Sequence, residues 1–152
     1  MEFSSNVVIF MVKSDSMTKY TKEIFGKRDL SSRIDYIFLS REGIPMSTFK
    51  RIMDFTSLTN KEISDILPVS ERQLGRYAEE HVLRKDISSH LIQLVELFGK
   101  GYDLFGKEKF RLWIRLENLA LGNIKPIDIL DTPIGIEMVG DIIGRIEHGV
   151  YS

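Results

Sequence analysis

The sequence motif that comes nearest to a known chemical site runs from Gly101 to Glu108. Its Gly-x-x-x-x-Gly-Lys spacing matches the start of a phosphate-binding loop. In such a loop, backbone amides surround the phosphates, and a Ser or Thr after the lysine binds Mg²⁺. Here that last position is Glu108, which puts a negative charge where phosphate and metal would lie. Tyr102, Leu104 and Phe105 also fill the loop with large side chains. We therefore expect no nucleotide site in this segment.

Other residue types that catalyse reactions or bind metals show no useful arrangement. The chain has no cysteine, which excludes disulfides, thiolate zinc sites, iron–sulfur clusters and cysteine nucleophiles. The histidines lack the spacing of metal ligands, so we expect two surface histidines and one in the C-terminal tail. They are His81, His90 and His148.

Carboxylates and serines are equally uninformative. The pairs Asp128/Asp131 and Glu137/Asp141 have the spacing of ordinary solvated helix faces, and no serine lies in a Gly-x-Ser-x-Gly turn. The sequence therefore predicts a binding protein rather than an enzyme, with no catalytic residues, no cofactor and no metal site.

The stretch 59–77 has the pattern of a helix-turn-helix. Two capping boxes, Thr59 with Glu62 and Ser70 with Gln73, lie eleven residues apart, and each is typical of a helix start. The first helix has room for about two turns before a Leu-Pro-Val turn, and the second for about ten residues. Two short helices joined by a three-residue turn are the signature of this motif.

In a DNA complex the second helix would enter the major groove with its N-terminal side chains foremost. These side chains are Glu71, Arg72, Gln73 and Arg76. Arg and Gln form paired hydrogen bonds with guanine and adenine edges. However, the net charge of −1 gives no basic excess, and Pro68 stands where a turn glycine is usual. DNA binding and a purely packing role for the motif both stay open.

The elements that would position these residues are helical. With 152 residues and 43% hydrophobic content, the chain can bury a core as one domain or two small ones. Helical periodicity from residue 34 onward predicts an all-α body of six to eight short helices. We divide the chain into an N-terminal arm or linker (1–33), a helix-turn-helix domain (34–86) and a small helical domain (87–152).

Local signals place two of these helices. An apolar stripe that starts at Ile87 predicts a helix of about five turns, interrupted near Gly99 and Gly101. Thr132 and Pro133 suit the N-cap and first residue of the last helix. The apolar run at residues 6–12 is too short to span a bilayer and lacks signal-peptide features, so we expect a cytoplasmic protein that contacts no membrane.

The last third of the chain carries a second pattern over about 48 residues. It comprises Phe105-Gly106, Trp113, Glu117-Asn118, Leu121-Gly122, Pro126 to Thr132, Gly135, Val139 and Gly144 to Tyr151. This order and spacing resemble the toxin-binding domain of the Xre/MbcA/ParS antitoxins, and the helix-turn-helix upstream fits the Xre half of that family. The chain departs from the family pattern at Asn123, where a second glycine is usual, and at Glu117, where proline is common.

The resemblance implies the antitoxin of a type II toxin–antitoxin pair whose partner is a RES-domain toxin that consumes NAD⁺. It also implies that the C-terminal region blocks the toxin's NAD⁺ pocket, that the protein forms a homodimer, and that it represses its own operon. The implied toxin-facing residues are Arg145, Glu147, His148, Gly149, Val150 and Tyr151. The alternative is a stand-alone helix-turn-helix transcriptional regulator.

Overall fold

The structure, a computed structural model, describes residues 19–26 and 30–149. In these ranges the chain forms eight α-helices, two short 3-10 helices and no β-strand, which confirms the predicted all-α fold. The helices are α1 (19–25), α2 (Arg33–Glu42), α3 (Met46–Thr56), α4 (Asn60–Ile66), α5 (Glu71–Arg76), α6 (Lys85–Phe105), α7 (Lys107–Trp113) and α8 (Pro133–Glu147), with 3-10 turns at Leu119–Leu121 and Pro126–Ile129. No helix in the described ranges has the length and apolar character needed to cross a membrane.

Helix α6, with 21 residues, is the central element, and α2, α3, α7 and α8 all pack against it. The buried stripe that the periodicity predicts is present and includes Ile87, Leu91, Leu94, Val95 and Phe98. The predicted interruption at Gly99 and Gly101 is wrong, because α6 continues through both glycines. Gly101 serves packing instead, since a Cβ there would overlap the ring of Phe110 on α7.

The segment that resembles a phosphate-binding loop lies inside this packing. Gly101 is buried within α6, and Gly106, at φ +81°, joins α6 directly to α7. A positive φ favours glycine because a side chain there would clash with its own backbone. The segment is therefore helix and helix junction rather than a loop of exposed amides.

Helix α1 belongs to the core, although its residues fall in the stretch 1–33 that is predicted to be an arm or linker. Tyr20, Ile24 and Phe25 are buried, and the Tyr20 ring lies 5.3 Å from that of Phe55. The Tyr20 hydroxyl donates a hydrogen bond of 2.9 Å to Oδ1 of Asp103 on α6. Burial, together with this hydrogen bond, raises the pKa of Tyr20 from 10.0 to about 12. Seven residues, about two turns of helix, carry too little periodicity to reveal such packing.

The prediction that His81 and His90 both lie on the surface is wrong for His90. Its side chain is only 8% exposed, and Nε2 lies 2.7 Å from the carbonyl oxygen of Leu130. This contact ties α6 to the segment that leads into α8. A buried polar ring with a hydrogen-bond partner is a structural histidine.

The two predicted domains share their interior. The predicted boundary between residues 86 and 87 falls in the first turn of α6. Buried side chains from both sides of it, including Ile52 and Ile143, belong to one core cluster in the described residues. The division into two domains stays a prediction.

Candidate functional sites

Helices α4 and α5 form the predicted helix-turn-helix unit, and both capping boxes are present. Thr59 Oγ1 accepts from the Glu62 amide at 3.1 Å, while Glu62 Oε2 accepts from the Thr59 amide at 2.8 Å. Ser70 and Gln73 repeat this arrangement at the start of α5. Each box satisfies amides that a helix start leaves without an intrahelical partner. The helix pair therefore begins where the sequence predicts.

Helix α5 is shorter than predicted, with six residues instead of about ten. The chain leaves α5 because residues 81–83 pair with residues 44–46, at the start of α3. Met46 donates to the His81 carbonyl at 2.9 Å, and the Leu83 amide donates to Ile44 at 2.8 Å. Tyr77 stacks on His81 across the intervening turn, with ring centroids 3.8 Å apart. These two hydrogen bonds join residues 35 and 39 positions apart, so local helix signals do not reveal them.

The structure brings the predicted DNA-binding residues together on the outer surface of α5. All four are exposed: Glu71, Arg72, Gln73 and Arg76. Arg72 and Arg76 are four residues apart, one helical turn, and neither forms an ion pair with another described residue. The Gln73 side-chain oxygen accepts from the Ser70 amide at 3.3 Å, which leaves its NH₂ group as the donor available to a partner.

A cleft of about 360 Å³ separates the helix-turn-helix from the C-terminal segment. It is lined by Glu62, Asp65, Ile66, Arg115, Lys125, Ile127, Asp128 and Asp131. The carboxylates Asp128 and Asp131 thus line the same cleft as the basic side chains of Arg115 and Lys125. In the described ranges no group of three or more His, Cys, Asp or Glu residues is arranged to hold a metal ion. The sequence carried no signal for this cleft, because its walls come from distant parts of the chain.

Helix α8 starts as predicted and is held tightly at that end. The Thr132 hydroxyl accepts from the Gly135 amide at 3.0 Å, and Pro133 occupies the first turn. A Cβ on Gly135 would overlap the carbonyl oxygen of Ile129, so only glycine lets the 3-10 turn approach α8 this closely. Val139 is fully buried on the same helix. Both residues therefore fix where α8 lies.

The predicted toxin-facing residues lie at the far end of α8. Those within the described range are all exposed: Arg145, Glu147, His148 and Gly149. His148 caps the helix through its amide, and Gly149 adopts φ +68° with its amide bonded to the Ile146 carbonyl at 3.1 Å. This is the left-handed arrangement that commonly ends a helix. Val150 and Tyr151 lie outside the described residues.

The sequence matches known proteins on both sides of α6. Residues 35–96 match a family model described as the antitoxin Xre-like helix-turn-helix domain. Residues 93–149 match one described as the antitoxin Xre/MbcA/ParS C-terminal toxin-binding domain. The two matches overlap at residues 93–96 within α6 and together reach from residue 35 to residue 149.

Proteins that align over most of this chain carry antitoxin names as well. An "Antitoxin Xre" of Photorhabdus laumondii subsp. laumondii is 29% identical over 73% of this chain and 77% of its own length. An "Antitoxin Xre" of Yersinia enterocolitica is 29% identical over 72% and 76%, respectively. A "Prs ADP-ribosylating antitoxin" of Sphingobium sp. is 25% identical over 80% and 84%. With a helix-turn-helix domain followed by a toxin-binding domain, the chain belongs to the Xre/MbcA/ParS family of antitoxins.

Proposed function

We propose that this antitoxin neutralises a RES-domain toxin that consumes NAD⁺, by placing its C-terminal region in the toxin's NAD⁺ pocket. The observation that carries the proposal is the end of α8. There, exposed Arg145, Glu147 and His148 precede the left-handed Gly149, and the sequence continues with Val150 and Tyr151. Charged groups, an open backbone and an aromatic side chain suit a polar pocket that binds a nucleotide.

Two further observations support this mode of action. One relative's name refers to ADP-ribosylation, a reaction that takes ADP-ribose from NAD⁺. The two family models that match this chain are described as helix-turn-helix and toxin-binding domains, and neither description names a catalytic activity. A protein that obstructs its partner's pocket needs only binding groups. We therefore assign the antitoxin a non-enzymatic role.

The test pairs the purified chain with the RES-domain protein expected from the neighbouring reading frame. The full chain should stop NAD⁺ loss by that protein at a near-stoichiometric ratio. Deletion of residues 149–152 should raise the concentration needed at least about tenfold, because the tail's contacts are lost. Lys50→Ala, on the exposed surface of α3, serves as the control and should inhibit normally. Full inhibition by the shortened chain would exclude the blocking role of the tail.

We further propose that the antitoxin acts as a homodimer and represses its own operon through α5. The exposed Arg72 and Arg76, with the NH₂ group of Gln73, are the donors that would contact base edges and phosphates. Dimers of this motif read two half-sites about one DNA turn apart. If the protein is instead a stand-alone transcriptional regulator, it should bind its operator but not the RES-domain protein. Measuring operator binding and toxin binding in parallel therefore separates the two functions.

A further inference from the structure

Helix α8 has a stripe of exposed side chains on its solvent-facing side, which we call the outward stripe. Ile134, Met138, Asp141 and Arg145 are spaced by four, seven and eleven residues, which puts them on one helix face. All four are exposed, and Ile134 and Met138 remain 71% and 46% exposed although they are large and apolar. Ile134 and Met138, one helical turn apart, thus form a small exposed apolar patch of the kind that proteins use for contacts.

The opposite face of α8 already supplies the packing. Ile136, Val139, Ile142 and Ile143 are buried, and α8 lies against α6. The Thr132 cap and the close approach of Gly135 to Ile129 hold the helix start in place. The outward stripe is therefore presented by a rigid helix, so a partner would bind it without first ordering it.

The position of the stripe indicates its occupant. Ile134 lies at the first turn of α8, and Arg145 lies in the last turn, directly before the tail that we propose enters the toxin. The stripe is about 16 Å long at 1.5 Å per residue, and it leads to that tail without a break. It lies within residues 93–149, the part that matches the toxin-binding domain. Its apolar half carries no cation that could neutralise a phosphate, so this half suits a protein surface better than DNA.

We propose that the toxin lies along this stripe of α8, with Ile134 and Met138 buried as apolar anchors at one end and the tail inserted at the other. This inference rests on the proposed function and extends the toxin contact to residues outside the predicted tail. Apolar side chains that become fully buried in an interface carry a large share of the binding energy, whereas charges that stay exposed carry little.

The test compares two matched double variants. Ile134→Ala with Met138→Ala removes both anchors and keeps helix-forming residues on α8. Ile34→Ala with Phe38→Ala removes two apolar side chains, also four residues apart and 54% and 52% exposed, from α2. Circular dichroism and thermal unfolding establish that both variants fold. Dissociation constants for the neighbouring RES-domain protein are then measured by calorimetry.

We expect the α8 variant to bind at least about tenfold more weakly and the α2 variant to bind like the wild type. Equal affinities for the wild type and the α8 variant would overturn the stripe while leaving the proposed function intact. If the α8 variant changes only the oligomeric state in light scattering, the stripe is a contact between two copies and the inference is wrong. If the wild type itself does not bind, the proposed function fails and the inference fails with it.

Discussion

Arg115 and Glu62, which are 53 residues apart, form an ion pair with two parallel hydrogen bonds. Arg115 Nε lies 2.8 Å from Oε1 of Glu62, and Nη2 lies 2.8 Å from Oε2. The same Oε2 accepts from the Thr59 amide, so one carboxylate both caps α4 and fastens it to the segment after α7. The guanidinium also reaches the Arg111 carbonyl. The helix-turn-helix is thus attached to the C-terminal half through its own capping residue.

Replacing Arg115 by Ala should lower the free energy of unfolding by about 1–2 kcal/mol. Both side chains of the pair are at least two-thirds buried, and truncation leaves the Glu62 carboxylate with fewer partners. The control is Lys61→Ala, which breaks a pair with Asp65 whose side chains are 77% and 64% exposed. That change should cost less than about 0.5 kcal/mol. Urea unfolding at neutral pH measures both, and equal losses would contradict this account of the Arg115 pair.

The Glu62 pair also predicts a dependence of stability on pH. The Arg115 guanidinium, more than any other group, holds the pKa of Glu62 below its usual 4.5. Because the folded pKa is the lower one, the contribution is complete above about pH 4.5 and is lost as the pH falls through the folded value. The stability difference between the wild type and Glu62→Gln should therefore shrink between pH 6 and pH 3. Asp65→Asn, on the same helix, is the control, and a difference that stays constant down to pH 3 would exclude this linkage.

Features set by residues close in sequence were predictable from the chain alone. The capping boxes of α4 and α5 and the Thr132 cap depend on residues three positions apart, and all three are present. The length of α5 and the burial of His90 depend on partners that are at least 35 positions away in the chain. Those partners come together only on folding, so no local sequence pattern predicts these contacts.

The candidate sites follow the same division. Residue types and spacing were enough to nominate the surface of α5, because capping marks the start of that helix. They did not reveal that Ile134 and Met138 are exposed, because an apolar residue in a helix is predicted to be buried until its neighbours are known. Nor did they reveal that Glu62 and Arg115 meet. Chemistry within one helix can be predicted, whereas contacts between helices require the fold.

Gly135→Ala should strongly disturb the start of α8. The new Cβ would overlap a backbone carbonyl, that of Ile129, which cannot move aside as a flexible side chain can. Such overpacking typically costs about 1–3 kcal/mol. Gly144→Ala is the matched control on the same helix, where a Cβ meets nothing within 4 Å and should add up to about 1 kcal/mol of stability. Thermal unfolding compares the two, and similar melting temperatures would contradict the close approach of the 3-10 turn.

The exposed arginines of α5 give the last prediction. Arg72→Ala and Arg76→Ala should each weaken binding to the palindrome upstream of the antitoxin's own gene by about 1–3 kcal/mol, since each removes a base or phosphate contact. Loss of a phosphate contact also lowers the slope of log affinity against log salt by about one. Fluorescence anisotropy over a salt series measures both effects, with Lys109→Ala on α7 as an exposed control. Sequence-specific binding that persists in the double variant would show that α5 is not the helix that reads DNA.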